Sequence, residues 1–308
     1  VAVAALARGA SYTLLIHDCY PEQLVAVKAL RPTGSAARTL DLLNRWLYKH
    51  ARKLIVVGRD MRELLRRKTS GLNVPIVVIP NWGEVESVMP APRAGNSLLA
   101  ELGLQDKFVF LHAGNIGRPT DVESIVDCAA MLATDDRFRF LFIGSGVKRS
   151  WIENRIRENG LQNIVLLEPM PRSSQIEFLN ACDVGMVALV DGMLGAAMPS
   201  KTYNILAAGK PVLALCHPDS ELATVIDEEG VGWHIQPGDP ERLRSLILEI
   251  YAQRAQLEEM GTRARQAAEA KYRFASAIER YRGELAVGLS ATSNVAPAVD
   301  VARPLERG

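Results

Sequence analysis

The stretch Phe108-Val109-Phe110-Leu111-His112-Ala113-Gly114-Asn115-Ile116-Gly117-Arg118 decides the fold. An apolar run without polar alternation reads as a strand buried on both faces, and it ends in a turn containing two glycines. Residues 122–132 then repeat their apolar positions at helical spacing. The same unit recurs down the chain, with strands over 138–143, 164–167, 184–188, 212–215 and 232–235. Helices over 150–159, 174–181, 201–208 and 220–226 separate them. Strict alternation of this kind predicts a doubly wound α/β domain with six parallel strands.

Working outward, strands over 12–16, 54–57 and 76–79, with helices over 39–50 and 60–68, form a second unit of the same type. Pro80-Asn81-Trp82-Gly83 and Pro90-Ala91-Pro92 are turn formers and mark a linker. Helices follow over 241–253, 256–270 and 274–285. The tail from Ser290 is rich in Ala, Pro and Ser and is expected to be disordered. The expected division is 1–88, 89–272, a helix over 273–288 and a tail over 289–308.

A length of 308 residues suits two domains, and 48% apolar residues supply a large core. A net charge of +1 gives no reason to expect nucleic acid. Cys19, Cys128, Cys182 and Cys216 are far apart and form no CxxC, so buried thiols are expected rather than a zinc site or disulfides. No run of 18 apolar residues exists. The chain opens on Val1 without a signal-peptide pattern, and 1–6 reads as the tail of a helix. The first unit is therefore expected to lack its opening strand.

Ligands of such sheets bind at the carboxyl ends of strands, so the strand-to-helix turns carry the functional reading. In Gly114–Arg118 the glycines let backbone approach a ligand, N–H groups can cradle a phosphate, and Arg118 is a permanent cation. Gly144-Ser145-Gly146-Val147-Lys148 fails the G-x-G-x-x-G fingerprint because Arg149 holds the last position, so a structural role is favoured. In Met198-Pro199-Ser200-Lys201-Thr202-Tyr203-Asn204 a helix start offers free amides, with a hydroxyl at Ser200, a cation at Lys201 and Asn204 one turn on. His17-Asp18-Cys19-Tyr20-Pro21-Glu22 gathers His, Asp and Glu at the end of the first strand. The bland alternatives are an ordinary tight turn with a solvated arginine at Arg118, a capped helix with an exposed lysine at Lys201 and a structural histidine at His17.

In this order the motifs resemble glycosyltransferase family 4, the retaining GT-B transferases. Ile16-His17-Asp18 with Pro21-Glu22 looks like the acceptor-domain turn, and Pro80-Asn81 like the inter-domain segment. Gly114-Asn115-Ile116-Gly117, Ala181-Cys182-Asp183-Val184-Gly185 and Ala207-Ala208-Gly209-Lys210-Pro211-Val212 fit the donor domain. Pro199-Ser200-Lys201 is similar to a branch used in O-antigen and capsule synthesis, which includes N-acetylfucosamine transferases.

The resemblance implies two Rossmann-like domains facing across a cleft, the final helix crossing back to the first. It implies transfer of a hexose or N-acetylhexosamine from a nucleoside diphosphate, UDP by subfamily, to a glycan or lipid-linked acceptor. His17, Arg118 and Lys201 would be catalytic. Gly114, Asn115, Gly117, Met170, Pro199, Ser200 and Asn204 would bind the donor, and Asp18 and Glu22 would lie on the acceptor side. No Asp-x-Asp triplet is present, so neither metal nor cofactor is expected, and the cations would stabilise the leaving diphosphate.

The sequence also departs from the family. A pair of glutamates is common before the Ala-x-Gly-x-Pro-Val segment, and here Ala196 and Asn204 stand at those positions. Rival readings are a sugar-nucleotide epimerase using His217 and Glu221, and a degenerate nucleotide-binding subunit. Nine basic residues between Arg45 and Lys68, beside Trp46, Leu47 and Tyr48, suggest a peripheral site on the inner face of an anionic membrane.

Overall fold

The computed structural model describes residues 2–286, so the tail and the last two residues of the expected final helix lie outside the described residues. Strands β1 (Thr13–Ile16), β2 (Lys53–Val56) and β3 (Ile76–Val78) form a parallel sheet in that order. Strands β4 (Phe108–Ala113), β5 (Phe138–Ile143), β6 (Ile164–Leu167), β7 (Val184–Ala188), β8 (Val212–Leu215) and β9 (Gly232–Ile235) form the second, all parallel. Its order is β6-β5-β4-β7-β8-β9. The direction of winding reverses between β4 and β7, which places the crevice of the sheet outside the carboxyl ends of those two strands.

Period-two alternation explains why the run at β4 is apolar throughout. Phe108 and Phe110 face one cluster with Phe138 and Phe140, the rings of Phe110 and Phe140 stacked at 5.7 Å. Val109 and Leu111 face the opposite cluster with Leu141, Tyr203 and Leu206. That second cluster also contains Leu54, Val56, Met61 and Leu65 from the smaller sheet's side of the molecule, so the two sheets share a core. Each fully buried side chain of this size stabilises the fold by about 1.5–3 kcal/mol.

The helices follow the reading closely, with three differences. The helix Ser35–His50 starts earlier than expected, and short helices at Glu22–Ala26 and Ser97–Leu102 were not anticipated. The second of these carries legible signals. Asn96 accepts from the Leu99 amide at its start, and Gly103 closes it with a φ of 66°. The helix Phe274–Ala286 returns to the first sheet, where Lys53 Nζ donates to the Glu284 carbonyl at 2.8 Å and Trp82 contacts Phe274 at 5.2 Å between ring centroids. All four cysteines are free and buried, and burial pushes the thiols of Cys19, Cys128 and Cys182 up to about 12.

Candidate functional site

At the end of β4 the chain turns at Gly114, whose φ of 126° favours glycine. A side chain there would also crowd the Lys201 ammonium, 3.1 Å from where its Cβ would stand. The turn after β5 packs directly on it. A Cβ on Gly144 would meet the Gly114 carbonyl at 1.9 Å, the Ile116 amide donates to the Ser145 carbonyl at 2.8 Å, and the Lys148 amide donates to Ile116 at 3.1 Å. The Gly144–Lys148 turn is thus a support for the Gly114 turn. Lys148 is committed to that support, donating to the Thr120 carbonyl at 2.7 Å and to Glu123 at 2.9 Å.

The loop after β7 delivers the second half of the site. The amides of Thr202 and Tyr203 bond the carbonyls of Pro199 and Ser200, so those of Ser200 and Lys201 precede the first bonded amide. The Ser200 hydroxyl makes no capping bond to the helix Lys201–Ala207. Lys201 reaches back across the sheet to β4, where its Nζ lies 3.3 Å from His112 Nε2. Among the described residues no carboxylate pairs with Lys201. Burial pulls its ammonium down to about 8, while burial and then the Lys201 charge hold His112 well below the usual histidine range.

Two hollows meet at this lysine. The larger, about 660 Å³, is lined by Gly114, Asn115, Gly144, Ser145, Met170, Gln175, Phe178 and Asn204 among others. The smaller, about 280 Å³, is lined by His17, Asp18, Gln23, Asn81 and Thr120 among others. Asn115, Pro199, Ser200 and Lys201 line both. The larger volume is in the range of small-molecule clefts. Nine of the residues singled out from the sequence therefore converge: Gly114, Asn115, Met170, Pro199, Ser200, Lys201 and Asn204 on the larger hollow, His17 and Asp18 on the smaller.

Three do not. Arg118 is exposed and lines neither hollow; the cation that lines both is Lys201. Gly117 is buried beneath Asn115, whose side-chain nitrogen lies 2.8 Å from the Cβ position, so it shapes the turn without facing the cleft. Glu22 pairs with Lys68 and lines a separate hollow with Asp41 and Tyr48.

The positions of the absent glutamates have physical explanations. Ala196 is fully buried against Leu189 and Met193, and its carbonyl accepts from the Cys19 amide at 2.8 Å. Asp18 bridges Ala197 beside it, and Asp60 accepts from the Gly195 amide at 3.1 Å. The loop is clasped to the first unit, and a carboxylate at 196 would be buried in an apolar cluster. The Asn204 side-chain oxygen Oδ1 accepts from the Glu84 amide at 2.9 Å, tying the linker to the larger hollow. Glu221 is buried and accepts from the Arg59 amide and guanidinium, both at 2.8 Å; neither it nor His217 lines the two hollows. His112 was not singled out from the sequence, although a lone imidazole inside an apolar strand was a visible signal. The Arg59–Glu221 pair, 162 positions apart, had none.

Residues 98–267 match the family described as Glycosyl transferases group 1, and residues 1–82 match the Glycosyl transferase 4-like domain. The chain is 36% identical over 246 residues to the probable glycosyltransferase WbjE of Pseudomonas aeruginosa, covering 79% of this chain and 60% of that protein. It is 27% identical over 171 residues to WcaI of Escherichia coli strain K12, a glycosyl transferase named for colanic acid biosynthesis, covering 54% of this chain and 42% of that protein. The chain thus spans 60% or less of the length of these curated relatives. Among solved structures, Anabaena HepE in complex with UDP and glucose aligns with a TM-score of 0.74 at 16% identity, over 92% of this chain and 74% of that one. At that identity the likeness is one of fold.

Proposed function

The chain belongs to the group 1 glycosyl transferases and has the GT-B fold, and from that premise we propose that it moves a sugar from a UDP donor to a hydroxyl acceptor in cell-surface polysaccharide synthesis. The observation that carries this reading is Lys201, a cation without a carboxylate partner among the described residues, at the junction of the two hollows. A diphosphate at that junction would meet the ammonium, the Ser200 hydroxyl and the amides of Ser200 and Lys201. The nucleoside would occupy the larger hollow toward Met170, and the donor sugar the smaller one beside His17. UDP in the HepE complex and the colanic acid role in the WcaI name support the donor and the pathway class.

In the proposed reaction the bond from the sugar's anomeric carbon to the diphosphate breaks, and the acceptor oxygen bonds that carbon on the same face. A departing phosphate oxygen takes the acceptor's proton, so the configuration is retained. Charge that develops on the leaving group is stabilised by Lys201 and the adjacent amides, without a metal. His17 lies on the sugar's side, to hold a hydroxyl, and Asp18, which accepts from Gln23 at 3.1 Å, lies on the acceptor's side. The sugar is proposed to be a hexose or N-acetylhexosamine and the acceptor a glycan or lipid-linked saccharide, which would place the protein on the cytoplasmic face of a membrane. No described helix is long and apolar enough to cross one.

The test is a melting-temperature panel of nucleotide sugars, run with and without EDTA. UDP-sugars are expected to raise the midpoint, to the same extent with the chelator present. A response to none of the UDP, GDP or ADP sugars would overturn the reading, and a response abolished by EDTA and restored by magnesium would overturn the metal-free account.

A further inference from the structure

We propose that His112 is a positioning residue, a neutral acceptor that holds the Lys201 ammonium uncompensated at the junction of the two hollows. The inference rests on the reading of that junction as a diphosphate site and names a residue through which the site works. His112 is the penultimate residue of β4, 1% exposed, and sits in a strand otherwise apolar on both faces. A polar ring there is costly unless its nitrogens have partners; Nε2 has Lys201 Nζ at 3.3 Å, and an accepting Nε2 puts the ring proton on Nδ1, which is buried without a partner among the described residues. Gly114, two residues on, leaves the space through which the lysine passes.

The choice of residue type follows from charge. A carboxylate at 112 would pair with Lys201 and neutralise it before any ligand arrived. An apolar residue would leave the ammonium unanchored, and a long side chain with four torsions would then have to be ordered at the moment of binding. An imidazole that stays neutral fixes the lysine's direction through one hydrogen bond and leaves its full charge for an anion. The other titratable groups on the smaller hollow, His17 and Asp18, belong to the turn after β1, on the opposite side of the cleft.

UDP titration by calorimetry of the intact chain tests this, with His112→Leu, His112→Gln and Lys201→Met singly and combined, each checked for native near-UV circular dichroism. His112→Leu should weaken UDP binding about tenfold, the size of one lost charge-assisted hydrogen bond. His112→Gln, which keeps an acceptor, should recover most of it. In the Lys201→Met background, His112→Leu should add nothing. The pH at which affinity declines should also move lower in His112→Leu, because the ammonium has lost its acceptor. Unchanged binding by His112→Leu, or the same loss with and without Lys201, would overturn the positioning role. If the wild type binds inorganic pyrophosphate but not UDP, the donor reading fails and the same comparisons made with pyrophosphate judge His112. Binding of neither overturns both.

Discussion

Lys201 and Lys148 both follow glycine-containing turns, and their surroundings separate them. Lys148 is spent on Glu123 and a carbonyl, whereas among the described residues Lys201 has only a neutral imidazole. The difference has a consequence in pH. Burial sets the Lys201 ammonium near 8, and His112, held well below its usual range, does not titrate in the same window. The terminal phosphate of UDP loses its second proton at about 6 and is fully charged above 7. The binding form of the lysine is the protonated one, so UDP affinity should be flat from pH 7 to about 8 and fall by up to about tenfold per unit above that. Calorimetry from pH 7 to 9.5 checks the sign; affinity that rises with pH would contradict it. The position of Lys201 on the cleft was legible because Pro-Ser-Lys precedes a helix at a strand's carboxyl end. Arg118 lines neither hollow, because sequence gives the position of a residue in a turn but not the surroundings of its side chain. Ala196 was visible as a departure, but its reason lay in Cys19 and Asp60, more than a hundred positions away.

At the level of elements, every strand of the large sheet was legible, because buried parallel strands are short apolar runs and each is followed by a periodic helix. The short helices Glu22–Ala26 and Ser97–Leu102 were not, since five or six residues display too little of a helical period. The basic segment shows what one-dimensional charge counting misses. Arg59 pairs with Glu221 and Glu228, Arg66 with Glu63, Lys53 with Glu284, and Lys68 with Glu22 and Asp41. Tyr48 is buried, so of the three apolar neighbours Trp46 alone is exposed, and Leu42 and Leu43 share that exposed surface of the helix Ser35–His50. The surface proposed to meet a membrane is therefore on this helix, with Arg38, Arg45 and Lys49 as its exposed cations. A handful of basic residues near an anionic leaflet contributes about 1 kcal/mol each. Sedimentation with vesicles should show binding to anionic but not neutral lipid, weakened by salt and by Leu42→Glu with Trp46→Glu. Indifference to lipid charge would remove the membrane from the account.

For the whole molecule, the cleft is defined by contacts that join its two halves. Asp18 to Ala197, Asp60 to Gly195, Asn204 to Glu84 and the shared apolar cluster bring the turn after β1 to the loop that precedes Lys201. This arrangement makes one site out of two hollows, and the cation at their junction is the center of the proposed chemistry. The most direct test is UDP affinity of the wild type beside Lys201→Ala and Lys148→Ala at pH 7. A charge-assisted hydrogen bond contributes on the order of 1.5–3 kcal/mol, so Lys201→Ala should bind roughly tenfold to a hundredfold more weakly, with a much smaller change for Lys148→Ala. Equal losses in the two variants, or a Lys201→Ala variant that binds UDP as well as the wild type, would contradict the assignment of this junction to the diphosphate.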